Sequence, residues 1–188
     1  MGIQYDREKL LQQVRLQMNE KRYQHTLGVA EAARQLAERY GADPDKAELA
    51  GYVHDYCKSW PTERLREYLI RYDLPQDLLA GDKNLWHAFV GAIVIQSELG
   101  ITDPDVLQAV RYHTTGRVNM SLLEKVVCLA DYIEPTRSFP GVEEIRRLAG
   151  EDLNQALAHA LGGTIRDLIE RKKQVYPLTL LAYNDLLV

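Results

Sequence analysis

The sequence predicts an all-α fold. Apolar residues recur three and four positions apart along nearly the whole chain, and no stretch alternates convincingly enough to make a strand. Helix boundaries are also marked, by two Asp-Pro pairs, a Ser-x-x-Glu box and glycines that close amphipathic runs. A chain of 188 residues with no internal repeat or low-complexity linker suffices for one well-buried domain, so a single helical domain over 1–188 is expected.

Asp6 can cap a first helix that carries Leu10, Leu11, Val14 and Met18 at helical spacing. A second runs from about Glu20 to Tyr40, with Val29, Ala33, Leu36 and Ala37 on one face, and Gly41 ends it. Asp43-Pro44 restarts the chain as a helix whose inner face reads Ala50, Val53, His54, Cys57. Thr62 opens an amphipathic helix with Leu65, Leu69 and Tyr72, and Trp86 to Leu99 forms another, closed by Gly100. Asp103-Pro104 repeats the cap-plus-proline start and leads to His113. Ser121 and Glu124 form a capping box for a helix reaching about Ile133. Pro135, Pro140 and Gly141 make Glu134 to Val142 a loop. Glu143 to Lys173 is helical again with a break near Gly150, and Pro177 opens a last short helix. The sum is an all-α bundle of roughly eight helices.

Apolar residues make up 46% and charged residues 27%, an ordinary balance for a globular chain rather than a disordered one. The net charge of -4 argues against whole-surface attraction to nucleic acid or anionic lipid. Cys57 and Cys128 form no C-x-x-C pair, which excludes a zinc ribbon or a dithiol redox motif. Met1 to Glu8 lacks the apolar core of a signal peptide. The longest apolar-leaning run, Ala88 to Ile95, is far short of the ~20 residues of a membrane helix. The expectation is a cytoplasmic protein with no membrane and no nucleic-acid partner. Tyr- and Leu-rich helical faces could support a homodimer.

Four of the five histidines and one aspartate share a context. His25 sits in Arg-Tyr-Gln-His-Thr, His54 in Val-His-Asp-Tyr, His87 in Leu-Trp-His-Ala, His113 in Arg-Tyr-His-Thr-Thr-Gly and Asp131 in Leu-Ala-Asp-Tyr-Ile. Each falls on or beside an apolar helical face. An imidazole or carboxylate on an inward face needs a partner, because unpaired burial of polarity costs roughly 2–7 kcal/mol. One such histidine alone reads as a hydrogen-bonded core residue, and a lone His-Asp dipeptide is weak. A metal ion shared by the set would satisfy all of it together, and imidazole with carboxylate suits iron, manganese or zinc. His159 stands outside this set and reads as a partly exposed histidine without a role.

The order His25, His54-Asp55, His87, His113, Asp131 resembles the HD-domain superfamily of metal phosphohydrolases, whose pattern is H…HD…H…H…D on successive helices. Within it, five segments look like the bacterial symmetrical diadenosine tetraphosphate hydrolase family: Arg22 to Thr26, His54 to Lys58, His113 to Gly116, Leu129 to Arg137 and Tyr176 to Leu180. The resemblance spans nearly the whole chain, with the metal-site core at about 19–137. It implies hydrolysis of diadenosine tetraphosphate to two ADP with one or two transition-metal ions, iron first and manganese or zinc as alternatives.

The implied ligands are His25, His54, Asp55 and Asp131, with His87 and His113 holding a second metal or contacting phosphate. Asp55 and Lys58 are the candidate catalytic residues. Arg22, Lys58, Arg137 and Thr114 lie beside the ligand motifs and suit a phosphate clamp, since cations next to each motif favour an anionic substrate. Gln174, Tyr176 and Thr179 are candidate nucleoside contacts by the same resemblance. Two alternatives stay open: another HD phosphohydrolase acting on a nucleotide, cyclic dinucleotide or guanosine polyphosphate, or a non-catalytic nucleotide-sensing helical module.

Overall fold

In a computed structural model, residues 5–188 form eleven α-helices and one 3-10 turn, with no strand among the described residues. Residues 1–4, the start of the stretch read as lacking a leader's apolar core, lie outside the described residues. The helices are α1 (Arg7–Arg15), α2 (Glu20–Tyr40), α3 (Pro44–Val53), α4 (Thr62–Arg71), α5 (Gln76–Ala80), α6 (Trp86–Leu99), α7 (Pro104–Tyr112), α8 (Leu122–Ile133), α9 (Val142–Ala149), α10 (Leu153–Glu170) and α11 (Pro177–Asp185).

The boundary chemistry is the one the sequence carries. Asp43 and Asp103 each accept from two amides of the turn they open, with proline in the first helical position. Ser121 and Glu124 cap each other's backbone reciprocally. Gly41 and Gly100 close α2 and α6 in the left-handed conformation, at φ 81° and 69°. Glu134 precedes Pro135 and takes ψ 153°, the extended value that a following proline imposes, so α8 stops at Ile133.

Two details differ from expectation. The helix from Asp43-Pro44 ends at Val53 instead of running to Cys57. In an α-helix the carbonyl of Gly51 would serve the amide of Asp55, but the ring Nδ1 of His54 takes that carbonyl at 2.7 Å. The chain then continues in tight three-residue turns, Tyr56 N to Val53 O, Lys58 N to Asp55 O and Trp60 N to Cys57 O. The short α5 and the 3-10 turn Lys83–Leu85 fill a stretch with no clear periodicity. The chain does break at Gly150, and that separates α9 from α10.

The long α2 packs along α3 and α8, α7 lies against α3, α6 and α8, and α10 covers α8 and α9. The α2–α3 crossing is backbone-close, since a Cβ on Gly51 would sit 2.4 Å from Ala30 Cα. The core is Val29, Ala33, Leu49, Val53, Phe89, Val110, Val127 and Leu129, all essentially inaccessible, with further residues of α10 behind them. Among the described residues, no helix is long and apolar enough to cross a membrane.

Candidate metal centre

Inside this core four imidazoles and two carboxylates converge. His25 comes from the second turn of α2, His54 and Asp55 from the turn after α3, His87 from the start of α6, His113 from the end of α7 and Asp131 from the last turns of α8. Asp55 stands in the middle. Its Oδ2 lies 3.7 Å from His25 Nε2 and 3.4 Å from His54 Nε2, and its Oδ1 lies 3.0 Å from His87 Nε2 and 3.7 Å from His113 Nε2. Asp131 Oδ1 adds 3.1 Å to His25 Nε2 and 4.0 Å to His54 Nε2. Three overlapping sets in this cluster are close enough to hold an ion: His25–His54–Asp55, His54–His113–Asp131 and Asp55–His87–His113.

The other ring nitrogens fix which atoms face inward. His54, His87 and His113 direct Nδ1 at the carbonyls of Gly51, Asn84 and Val110, each three residues back, at 2.7, 2.8 and 2.7 Å. His25 directs Nδ1 at Glu134 Oε1, 2.9 Å away. A carbonyl or carboxylate oxygen only accepts, so each Nδ1 carries the proton and each neutral ring presents a bare Nε2 to the centre. Lone pairs then face carboxylate oxygens. His25 Nε2 and His54 Nε2 are buried and make no hydrogen bond. Acceptors packed against acceptors in a dry site call for a cation, and the donor set fits a transition metal.

The electrostatics agree. Burial pushes the Asp55 carboxyl up, but its attraction for positive charge at the adjoining His54 outweighs that and holds it well below the usual carboxylate range. Asp131 is also held low against its burial, with the Arg137 guanidinium beside it. His87, pushed down to about 4 mainly by burial, is neutral at pH 7. His54 is moved the other way: Asp55 and Asp131 outweigh its burial and raise it, so this ring attracts positive charge.

Cations ring the carboxylates. Arg22 donates to Asp55 Oδ2 at 2.8 Å, and Arg137 donates to the Asp131 carboxylate and, at 2.7 Å, to its carbonyl. Lys58, mostly buried, brings Nζ to 3.5 Å from His87 Nδ1. That nitrogen is already committed to Asn84, so the contact is not a hydrogen bond. Burial pulls the Lys58 ammonium below its ordinary range, with Asp55 opposing.

Two cavities share the Arg137 and Phe139 wall. One, of about 410 Å³, is lined by Asn19, Lys21, Arg22 and His25 on the α2 side. The other, of about 900 Å³, runs from His113, Thr114 and Asp131 past Tyr132 to His159 and Thr164 on α10. Thr114 Oγ1 is buried there without a hydrogen-bond partner.

The family profile "HD domain" matches residues 22–136. The chain is 50% identical to the symmetrical bis(5'-nucleosyl)-tetraphosphatase of Bacillus subtilis, over 95% of this chain and 96% of that one. It is 52% identical to the protein of that name from Halalkalibacterium halodurans, over 97% and 98%. The chain belongs to the symmetrical bis(5'-nucleosyl)-tetraphosphatase family of HD-domain proteins. A crystal structure of an HD superfamily hydrolase from Clostridium acetobutylicum, described as involved in NAD metabolism, superposes with a TM-score of 0.93 at 40% identity, covering 98% of both chains. The HD pattern of histidines and aspartates is thus the set that the fold brings together here.

The Gln174–Thr179 segment stands apart from this HD centre. Gln174 is exposed, Tyr176 is packed in the core with its hydroxyl donating to Asp77 Oδ1 at 3.0 Å, and Thr179 is buried. None of the three lines either cavity. Two residues near the centre carry no assigned role in the sequence. Glu134 lies inside a quoted motif without an assigned task, and its signal is an acidic residue between a buried helix end and a proline. His159 is exposed but forms part of the larger cavity's wall.

Proposed function

We propose that this chain hydrolyses diadenosine tetraphosphate symmetrically to two ADP, using one or two transition-metal ions, iron first, held by His25, His54, Asp55 and Asp131 and by His87 and His113. The observation that carries the reading is a complete set of inward Nε2 atoms and carboxylates in a chain half identical, end to end, to symmetrical tetraphosphatases. Asp55 sits between the two histidine pairs, so it is the carboxylate able to serve both subsites. An ion bound there would polarise a phosphate oxygen and lower the pKa of the attacking water.

The protein's own groups supply the rest. Water adds to one of the two central phosphorus atoms, the bond from that phosphorus to the bridging oxygen breaks, and ADP leaves with that oxygen. Asp55, held ionised, orients the water by accepting its hydrogen bond, and the water's proton passes to solvent through the open cavity. Lys58 offsets charge on the leaving phosphate from a half-dry site, where a cation acts more strongly than in water. Positive charge at the centre would relieve Arg22 and Arg137 of Asp55 and Asp131 and free both guanidiniums for phosphate oxygens. The two cavities meeting at Arg137 would each receive one nucleoside half, with Thr114 supplying a free hydroxyl to the half in the larger one.

The test is product analysis by chromatography after adding diadenosine tetraphosphate with iron or manganese. ADP as the sole nucleotide product is expected. Equal release of ATP and AMP would mean attack at a different phosphorus and would reject the symmetrical reading.

A further inference from the structure

Three of the four inward histidines rest Nδ1 on a backbone carbonyl three residues back, and each does so at a helix end or start. His25 cannot. It lies inside α2, where the carbonyls one turn back belong to the helix ladder. Its Nδ1 instead finds Glu134, a side chain with 0% exposure reached across 109 residues of sequence.

Glu134 is placed by several independent features. Pro135 breaks α8 directly after it. Thr136 donates its amide to Oε2 at 2.7 Å and its hydroxyl to Oε1 at 2.5 Å. Arg146 of α9 donates to the Glu134 carbonyl at 2.8 Å and to the carbonyls of Ile133 and Arg137 on either side. On the α2 side, Gly28 leaves the space: a Cβ there would meet Glu134 Oε2 at 2.6 Å. Among the described residues no arginine or lysine pairs with this carboxylate, and its side-chain partners there are His25 and Thr136.

We infer that Glu134 is a positioning residue for the metal centre: it fixes His25 with the proton on Nδ1, aims the bare Nε2 at Asp131 and Asp55, and makes His25 the most electron-rich of the four rings, with Gly28 as the gap that admits it. A carboxylate accepts more strongly than the carbonyls behind the other three histidines. Such support behind a ligating imidazole commonly changes metal affinity by roughly 10- to 100-fold. The inference rests on the metal-centre reading above.

The test uses the full chain and manganese alone, with affinity measured by competition against a chelator. Wild-type protein binds manganese, and Glu134→Gln weakens that binding by roughly 10- to 100-fold. The amide has one acceptor atom where three donors require two, and its NH2 must face either Thr136 or His25. Gly28→Ala weakens binding in the same direction with the carboxylate intact, and serves if the glutamine variant does not fold. A role in metal positioning also leaves a signature that mere structural support would not. In the zinc-loaded chain, the His25 Nδ1 proton resonates far downfield in wild type and moves upfield in Glu134→Gln. Wild-type manganese affinity in both variants, or an unmoved His25 proton, overturns the inference while leaving the metal centre standing. Wild-type protein that binds no manganese overturns the metal centre and the inference together.

Discussion

His87 Nε2 and His113 Nε2 lie 3.2 Å apart, although both Nδ1 atoms are already committed to backbone carbonyls. Two neutral imidazoles arranged this way present lone pair to lone pair, and Asp55 Oδ1 lies 3.0 Å from the first and 3.7 Å from the second. The same conflict recurs at His25 and His54, whose buried Nε2 atoms have no hydrogen bond. Folding therefore concentrates acceptors that a cation must reconcile.

Chelation should accordingly cost stability as well as activity. A ligand bound only by the native state stabilises it by about 2.7 kcal/mol at a hundredfold excess over Kd. For a chain of this size that is a rise in Tm of roughly 5–10 °C. Scanning calorimetry with and without manganese or iron measures it, and elemental analysis should find about one or two ions per chain. An unchanged Tm together with full activity in chelator would remove the metal from the mechanism.

Ligands and clamp residues should separate cleanly by metal content. His54→Ala and Asp55→Ala are expected to abolish turnover and lower bound metal. Lys58→Ala and Arg137→Ala should keep the metal and slow turnover or weaken substrate binding by roughly ten- to a hundredfold, the worth of one charge-assisted bond to phosphate at about 1.5–3 kcal/mol. Elemental analysis and steady-state kinetics on the four proteins decide it. Wild-type kinetics in the last two would reject the phosphate clamp and leave the ligand set in place.

The helices were legible because their signals are local. Asp43-Pro44, Asp103-Pro104, Ser121 with Glu124, Gly41 and Gly100 all act within one turn, and all are found as caps. The six inward residues were legible as an ordered pattern along the chain. What sequence does not show is which ring nitrogen faces in. That depends on Gly51, Asn84 and Val110 offering carbonyls at helix boundaries, and on a glutamate 109 positions from His25. The premature end of α3 has the same origin, a side chain claiming a backbone acceptor. Tyr176, a candidate nucleoside contact in the sequence, packs in the core because α11 folds back on α10 and because Asp77, on a helix too short to show periodicity, accepts from its hydroxyl.

One side chain braces three carbonyls of the loop after α8. Arg146 donates to the carbonyls of Ile133, Glu134 and Arg137. Arg146→Met keeps the aliphatic stem and removes all three donors. The Glu134 carbonyl still accepts from Arg137 N, but the part-buried carbonyls of Ile133 and Arg137 lose their arginine donor, at about 1–3 kcal/mol, and Arg137 keeps only its bonds to Asp131 and Glu134. Turnover should fall more than metal content does, and limited proteolysis should cut within 134–141 faster than in wild type. Unchanged cleavage there would mean that the loop is held by Pro135, Thr136 and Pro140 without Arg146.

Acid should find a weak point between α3 and α7. Lys46 reaches Asp103 at 2.9 Å and Asp105 at 2.6 Å. Burial pushes the Asp103 carboxyl up, but Lys46 and two α7 amides outweigh it and hold it below its ordinary 3.8. A carboxyl lowered on folding contributes stability above the unfolded value and loses it as pH falls through the folded one. Asp103→Asn keeps the cap acceptor and drops the charge. It should cost up to about 1 kcal/mol at pH 7, and the gap to wild type should narrow as pH falls below about 4. Urea midpoints at pH 7 and pH 3 measure it, and a gap of the same size at both would assign the loss to packing instead.

Gly51 joins stability to the centre more directly than any ligand does. Its Cα lies against the α2 backbone, and an added Cβ would lie 2.4 Å from Ala30 Cα and 2.8 Å from Ala30 N. Backbone cannot step aside as a side-chain tip can, so Gly51→Ala must push the two helices apart, at about 2–3 kcal/mol for overpacking of this kind. The displacement would also reach the metal ligands, because the Gly51 carbonyl holds His54 Nδ1 and α2 carries His25. Gly51→Ala should therefore lower Tm in chelator and weaken manganese binding as well. A neighbouring core change gives the contrast. Leu49→Ala opens a cavity at an equally buried position of α3 and should cost about 2–5 kcal/mol, but it moves no ligand support. At a temperature where both variants are folded, chelator competition should show weakened manganese binding in Gly51→Ala and near-wild-type binding in Leu49→Ala. Equal affinities would mean that the α2–α3 contact sets the fold's stability without setting the geometry of the centre.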